Sequence, residues 1–135
     1  MNAVSCASAS ACTAVGTYSN GTMNVMLAER WNGTRWSIQH TPNPVGSHAS
    51  TLVGVSCTSA TACTAVGNYS NGTTRVALAE RWNGTRWSIR HPPNPVGGSD
   101  STLYGVSCAS ATACTAVGGS FNGTTGVTLA ERWNG

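Results

Sequence analysis

The sequence predicts an all-β protein of tandem repeats, and three observations support this prediction. The 135-residue chain repeats every 51 residues, as the positions of Cys6, Cys57 and Cys108 show. No segment keeps the apolar spacing of an amphipathic helix, because Gly, Thr, Ser and Asn interrupt every stretch. Asn-Gly pairs and prolines recur between short apolar runs, which is typical of strands joined by turns.

The repeats divide the chain into residues 1–51, 52–102 and 103–135, with the third copy truncated. Met1 is in phase with Leu52 and Leu103, and the sequence begins without a recognisable signal peptide. We therefore expect an excised, processed or engineered piece of a longer array that forms a single repeat domain.

The low charge and the short apolar runs of the chain argue against two classes of partner. Seven arginines, no lysine and four acidic residues give a net charge of +3. Nucleic-acid binding requires a dense stripe of basic side chains, which this sequence does not contain. The apolar runs are only a few residues long, too short to span a membrane. We expect neither a nucleic acid nor a membrane as a partner.

Each complete repeat is predicted to hold four strands separated by turns that contain Asn-Gly. In the second copy these turns fall at residues 70–73 and 83–85, since Asn and Gly both tolerate positive φ. The proline-rich run 92–97 cannot continue a hydrogen-bonded ladder, so it is predicted to cross to the next repeat. The predicted strands of the second copy are 52–57, 62–69, 75–82 and 86–91.

Four antiparallel strands followed by a longer crossing, repeated at about fifty residues, are typical of a β-propeller blade. The predicted fold is therefore a tandem array of four-stranded antiparallel β-propeller-like blades. The alternatives are a β-trefoil and a β-prism, whose three-fold pseudosymmetry suits three copies. Either closed fold is expected to lack a strand here, because the third copy is shorter than the other two.

The repeat resembles secreted bacterial β-propeller repeats of the actinobacterial type. The resemblance extends over the whole chain and is carried by residues 54–57 (GVSC), 62–67 (ACTAVG) and 78–88 (LAERWNGTRWS). It implies a propeller fold with blades of about 51 residues, and it implies little about activity, since propellers support many functions.

Each repeat carries two cysteines separated by five residues. A three-residue loop at 59–61 would place Cys57 directly opposite Cys63, about 4.5–5.5 Å away at Cα, within the range that a disulfide bridges. Buried free thiols and a metal site are the alternatives, although two thiols cannot complete a four-ligand zinc site. Disulfides would indicate an extracellular or cell-surface location. The predicted pairs are Cys6–Cys12, Cys57–Cys63 and Cys108–Cys114.

The tryptophans are predicted to pack between repeats. A four-residue loop would pair Trp82 with Trp87 across a hairpin, whereas a two-residue loop would place Arg81 opposite Arg86. Paired rings could instead form a platform for stacking sugars, but their identity in every complete copy favours packing. The tryptophans assigned to packing are Trp31, Trp36, Trp82, Trp87 and Trp133.

A catalytic site is not expected. Each repeat has one Glu followed by an Arg, as at Glu80 and Arg81, and adjacent residues of a strand point to opposite faces. Each side chain is therefore predicted to reach a neighbouring strand or repeat. Catalysis by paired carboxylates requires two acids at one place. No catalytic residue, metal or cofactor is assigned, and the protein is predicted not to be an enzyme.

Differences among the copies gather in the loop between the second and third strands and in the crossing between repeats. In an up-and-down meander these loops emerge at the same end of the sheets, and binding sites commonly evolve on such loops. Sequence drift is the alternative explanation. The candidate ligand contacts are Tyr18, Asn24, His48, Tyr69, Arg75 and Asp100.

Two functions are consistent with these observations. The first is a non-enzymatic extracellular scaffold that assembles with copies of itself into a closed homo-oligomer or a fibre. Three incomplete blades cannot close a propeller ring, and open β-edges recruit further chains. The alternative is a lectin-like module that binds a carbohydrate or a protein surface through the variable loops.

Overall fold

The described part of the chain folds into antiparallel β-sheet. The computed structural model describes residues 1–92, 100–121 and 123–134, and these ranges contain no helix. The first sheet comprises β1 (Ala3–Ser8), β2 (Ala11–Ser19), β3 (Asn24–Trp31) and β4 (Trp36–Gln39). The second comprises β5 (Ala49–Ser59), β6 (Ala62–Ser70), β7 (Arg75–Trp82) and β8 (Trp87–Arg90). The third comprises β9 (Asp100–Ser110), β10 (Ala113–Phe121) and β11 (Gly126–Trp133).

The Asn-Gly pairs within the described residues form hairpin turns in which only the glycines adopt positive φ. Gly72 has φ +98°, while no non-glycine residue among those described has a positive φ. Asn71 contributes through its side chain instead, because its Oδ1 accepts the backbone N–H groups of Thr73 and Thr74 at 3.0 and 2.9 Å. The asparagine side chain therefore stabilises the turn by accepting hydrogen bonds, and the glycine occupies the position that requires positive φ.

The cysteines pair with the predicted partners, although the turn between them differs from the prediction. Cys57 lies opposite Cys63, while the ladder closes at Ser59 and Ala62 and leaves a two-residue turn. Thr58 forms a β-bulge, so the strands extend further than predicted. The bulge takes up the extra residue between the cysteines, and Cys57 and Cys63 still face each other. The three disulfides are Cys6–Cys12, Cys57–Cys63 and Cys108–Cys114, with Cα–Cα distances of 3.9–4.0 Å.

The sheets pack face to face in the order of the chain. The first strand of each later repeat makes most of this contact: β5 packs on β1, β2 and β3, and β9 packs on β5, β6 and β7. One apolar cluster lies between the first two sheets and includes Val15, Leu78 and Trp87. A second, between the second and third sheets, includes Val66 and Leu103. The core is therefore divided into two equivalent junctions.

A close backbone approach fixes the path of these first strands. β5 is interrupted by a bulge between Leu52 and Gly54, and Gly67 stands opposite it on β6. A Cβ atom at Gly67 would lie 2.1 Å from the Thr51 carbonyl oxygen, so no other residue fits without moving the backbone. Gly118 faces the Thr102 carbonyl in the same way in the third sheet.

The all-β class and the antiparallel repeats are confirmed. The fourth predicted strand begins at Trp87 rather than at residue 86, since Arg86 belongs to the hairpin turn. The described residues form three sheets and no closed ring, so the propeller-blade assignment and its trefoil and prism alternatives stay predictions. Most of the predicted crossing at 92–97 lies outside the described residues.

Removing the disulfide of the second repeat tests the contribution of these short closed loops. We expect Cys57→Ala together with Cys63→Ala to lower the free energy of unfolding by about 2 kcal/mol, because the unfolded chain gains loop entropy. Loss of buried Cys63 from the core adds to this cost. Urea unfolding followed by tryptophan fluorescence measures the change. The matched control is Cys6→Ala with Cys12→Ala, which should lower the free energy of unfolding by less, because Cys12 is half-exposed whereas Cys63 is buried. Equal stability of the wild type and the two variants would contradict this expectation.

Candidate functional site

The two junctions between sheets use the same side-chain contacts one repeat apart. At the first junction the Thr13 hydroxyl lies 3.5 Å from Cys63 Sγ, and the Ser5 hydroxyl accepts the Cys57 N–H at 2.9 Å. Since Cys63 is oxidised, the threonine is the donor. The equivalent contacts at the second junction are Thr64 to Cys114 at 3.6 Å and the Cys108 N–H to Ser56 at 3.1 Å.

In the first two repeats, the arginine that follows the glutamate reaches across the junction to the next repeat. Arg30 donates to the Ala60 carbonyl oxygen at 2.6 Å, and its guanidinium lies 4.7 Å from the centroid of the Trp82 ring. The indole N–H of Trp82 donates to the same carbonyl at 3.2 Å. Arg81 repeats the contact with Ala111 at 2.5 Å. The prediction that these arginines reach a neighbouring strand or repeat is therefore confirmed for Arg30 and Arg81.

The outer side of the first sheet exposes apolar side chains that the second repeat buries. Trp36 is 45% exposed and Ile38 is 73% exposed, whereas Trp87 is 3% exposed and Ile89 packs against the first core cluster. The local geometry is the same, since the rings of each tryptophan pair are 5.8 Å apart and tilted by 44–45°. Burial therefore depends on a covering sheet. We call this surface the first outer face; it consists of Val4, Trp31, Trp36 and Ile38.

The outer side of the third sheet shows the complementary difference. Val117 is 51% exposed, but Val66 and Val15, at the same position of the earlier repeats, are 0% exposed. Ala130 is exposed, while Ala79 is buried beneath the third sheet. We call this surface the third outer face; it consists of Thr115, Val117, Thr128 and Ala130.

Each junction buries a glutamate whose carboxyl oxygens find no hydrogen-bond partner in the part of the chain that the structure describes. Glu80 points towards the first sheet, on the same side of β7 as Leu78 and Trp82, and is fully buried. Among the described residues, neither of its carboxyl oxygens has a hydrogen-bond partner. Desolvation by burial raises the pKa of Glu80 to about 8, so the side chain is mostly protonated at neutral pH. Burial also raises the pKa of Glu131 at the second junction.

The six candidate ligand contacts divide into two groups. His48, Arg75 and Asp100 lie around the turn between β6 and β7. A Cβ atom at Gly72 would lie 3.2 Å from the ring of His48, and the backbone N–H of Arg75 donates to Asp100 Oδ1 at 2.7 Å. Tyr69 is half-buried and packs against the first core cluster. Tyr18 and Asn24 lie on the first sheet, at the ends of the strands that the β2–β3 turn joins.

Sequence reasoning did not find the arginine–carbonyl contacts or the unequal burial of identical motifs. The arginine recurs in every repeat, but a backbone acceptor leaves no residue pattern that identifies it. Among the described residues, no group of three or more His, Cys, Asp or Glu side chains could hold a metal ion. The same part of the chain has no helix long and apolar enough to cross a membrane.

Comparison of the chain with protein-family models, curated protein sequences and solved structures finds no match. The features of the protein that bear on its function are therefore the repeated junction contacts and the two exposed outer faces.

The buried carboxyl at the first junction makes stability depend on pH. The folded-state pKa of Glu80 is raised above its value in the unfolded chain. The contribution of this group to the free energy of unfolding is therefore fully present below about pH 4.5 and is lost as the pH rises to about 8. We expect the free energy of unfolding to fall across this window by on the order of 1 kcal/mol per pH unit. Denaturant unfolding at several pH values measures the slope.

Glu80→Gln removes one titrating group and should reduce this dependence, leaving the part that the raised pKa of Glu131 contributes. The matched control is Glu29→Gln, the same change at the half-exposed glutamate of the first repeat, which retains Glu80 and should therefore retain the slope that Glu80 produces. A Glu80→Gln protein with an unchanged slope would show that another group controls the titration.

Proposed function

We propose that the protein is a non-enzymatic structural module that assembles with copies of itself head to tail. In this arrangement the first outer face of one copy docks on the third outer face of the next. The main observation behind this proposal is that the equivalent residues of these two faces already pack against each other at the first internal junction. The counterparts of Val4 and Trp31, namely Val106 and Trp133, pack in the same way at the second. Val15 and Val66 are fully buried by the following sheet, whereas Val117 is half-exposed.

The apolar part of the docking surface follows from the internal junctions. Trp87 and Ile89 of the second repeat pack on the side of their sheet that faces the first sheet. Trp36 and Ile38 are their exposed counterparts on the first outer face. Burying exposed tryptophan and isoleucine side chains removes a large apolar area from water, which is the main driving force for association.

The polar contacts of the junctions have counterparts on the two faces as well. By the 51-residue phase, Arg132 corresponds to Arg30 and Arg81, and Ala9 corresponds to their acceptors Ala60 and Ala111. Ser107 corresponds in the same way to Ser56, which accepts the N–H of the next repeat's cysteine. Arg132, Ala9 and Ser107 are all exposed. A docked copy would give these groups the partners that their equivalents already have.

The two faces differ from each other, so the contact is heterologous. Heterologous contacts build a ring if the rotation closes and a fibre if it does not. The resemblance to propeller repeats favours a ring of sheets, with each copy supplying three. The three intramolecular disulfides are compatible with an extracellular setting for such a scaffold.

Blocking each face separately tests the head-to-tail arrangement. Trp36→Arg with Ile38→Arg blocks the first outer face, and Val117→Arg with Ala130→Arg blocks the third. All four side chains are exposed, so the fold should tolerate the charges. Each variant alone is expected to be a monomer of about 13.8 kDa, because desolvating two arginines opposes docking. Mixed together, they should form a 1:1 dimer through their two intact faces, measured by size exclusion with light scattering.

The control carries the same added charge at exposed turn positions, Thr22→Arg with Thr34→Arg, and should assemble like the wild type. A mixture of the two blocked variants that stays monomeric, or blocked variants that assemble as the wild type does, would refute the proposed arrangement.

A further inference from the structure

A groove with a volume of about 750 Å³ opens between the second and third sheets, at the end where β6 turns into β7. The turn residues Thr73–Arg75 form one side of it, and the first residues of β9 and the last residues of β10 form the other. This volume lies within the range of about 300–1,000 Å³ that small-molecule sites occupy. The groove lies at one end of the second junction, and its lining residues Arg75 and Asp100 are hydrogen-bonded across that junction.

The groove results from differences between the second and third repeats. Ser120 stands where the second repeat has Tyr69, and Gly126 stands where it has Arg75. Tyr69 is half-buried and fills the space between the first and second sheets. On β10 the equivalent side chain is a serine that also faces the preceding sheet and fills less of the space beside it than a tyrosine would.

The serine places an unsatisfied hydroxyl in this space. Ser120 is 5% exposed and lines the groove, and its Oγ has no hydrogen-bond partner among the described residues. A buried hydroxyl without a partner costs about 1–3 kcal/mol. A ligand that offers a hydroxyl or carbonyl to Ser120 would recover part of this cost.

The rim combines aromatic surface with one pair of opposite charges. Tyr104 and Phe121 are largely exposed side chains that line the groove, and Tyr104 occupies the bulge of β9. Arg75 and Asp100 lie on opposite sides of the groove, and Asp100 Oδ1 accepts the backbone N–H of Arg75 at 2.7 Å. With one cation and one anion, the groove has no net charge that would favour an anionic or cationic ligand.

We propose that this groove binds a neutral saccharide of one or two rings. A pyranose has an apolar C–H face that can stack on Tyr104 or Phe121, and its hydroxyl groups can both donate and accept hydrogen bonds. Ser120 and Asp100 supply a hydroxyl and a carboxylate to these groups. Ser120, Asp100, Tyr104 and Phe121 are not among the residues that define the outer faces, although Thr128 lines the groove and also belongs to the third outer face.

Amide chemical shifts in a ¹⁵N-labelled sample test the proposal directly. The probes are glucose, cellobiose, maltose and N,N′-diacetylchitobiose, each titrated to about 10 mM, and glucuronic acid as an anionic counterpart of glucose. At least one neutral probe should shift the amides of Gly118, Gly119 and Ser120 saturably, and glucuronic acid should bind more weakly than glucose does. Pull-down on insoluble cellulose and chitin then distinguishes a polysaccharide surface from a free saccharide as the source.

Two variants link binding to the groove. Ser120→Tyr places in the groove the residue that the second repeat has at this position, and it should weaken binding at least tenfold while Tm is unchanged or higher. Tyr104→Ala should weaken it roughly three- to tenfold through loss of the stacking surface. Tyr18→Ala makes the same change at an exposed tyrosine outside the groove and should bind like the wild type. Absence of shifts with every neutral probe, or equal binding by the Ser120→Tyr variant, would overturn the proposal.

Discussion

Burial of one sheet face by the first strand of the next repeat is the interaction on which the rest of the structure depends. β5 covers the first sheet and β9 covers the second, and both strands are held by a glycine that allows close backbone approach. The junction contacts of Thr13, Ser5 and Arg30 recur one repeat later because this packing has a constant register. Without it, each sheet would be a small meander with two solvent-exposed faces, which is marginally stable in water.

The junctions combine apolar packing with groups that are costly to bury. Glu80 has no polar partner among the described residues, and a protonated carboxyl avoids the much larger cost of burying a charge. Arg30 avoids the same cost differently, since it keeps its guanidinium at the edge of the junction against Trp82 and a carbonyl oxygen. Because adjacent residues of a strand point to opposite faces, the glutamate and the arginine of one repeat serve different junctions. The neutral glutamate is buried against the preceding sheet, and the arginine keeps its charge at the edge of the junction with the following sheet.

Local features of the fold could be predicted from the sequence, and features that depend on neighbours could not. The turn residues predicted the limits of β7 as they are observed, and the cysteine spacing predicted the pairing of Cys57 with Cys63. Both features are determined within one hairpin. The bulge at Thr58 escaped prediction, since it preserves the register that the spacing indicates. Trp36 and Trp87 have the same local sequence, yet only the second is covered by another sheet. The groove at Ser120 likewise depends on what a tyrosine fills in another repeat.

The central claim is that the exposed faces of the first and third sheets are two halves of one junction. Sedimentation velocity of the wild-type protein over a range of concentrations tests this claim most directly. The account predicts a weight-average mass that rises above 13.8 kDa with concentration and reaches a plateau for a ring or continues to rise for a fibre. A single species of about 13.8 kDa at every concentration would contradict it.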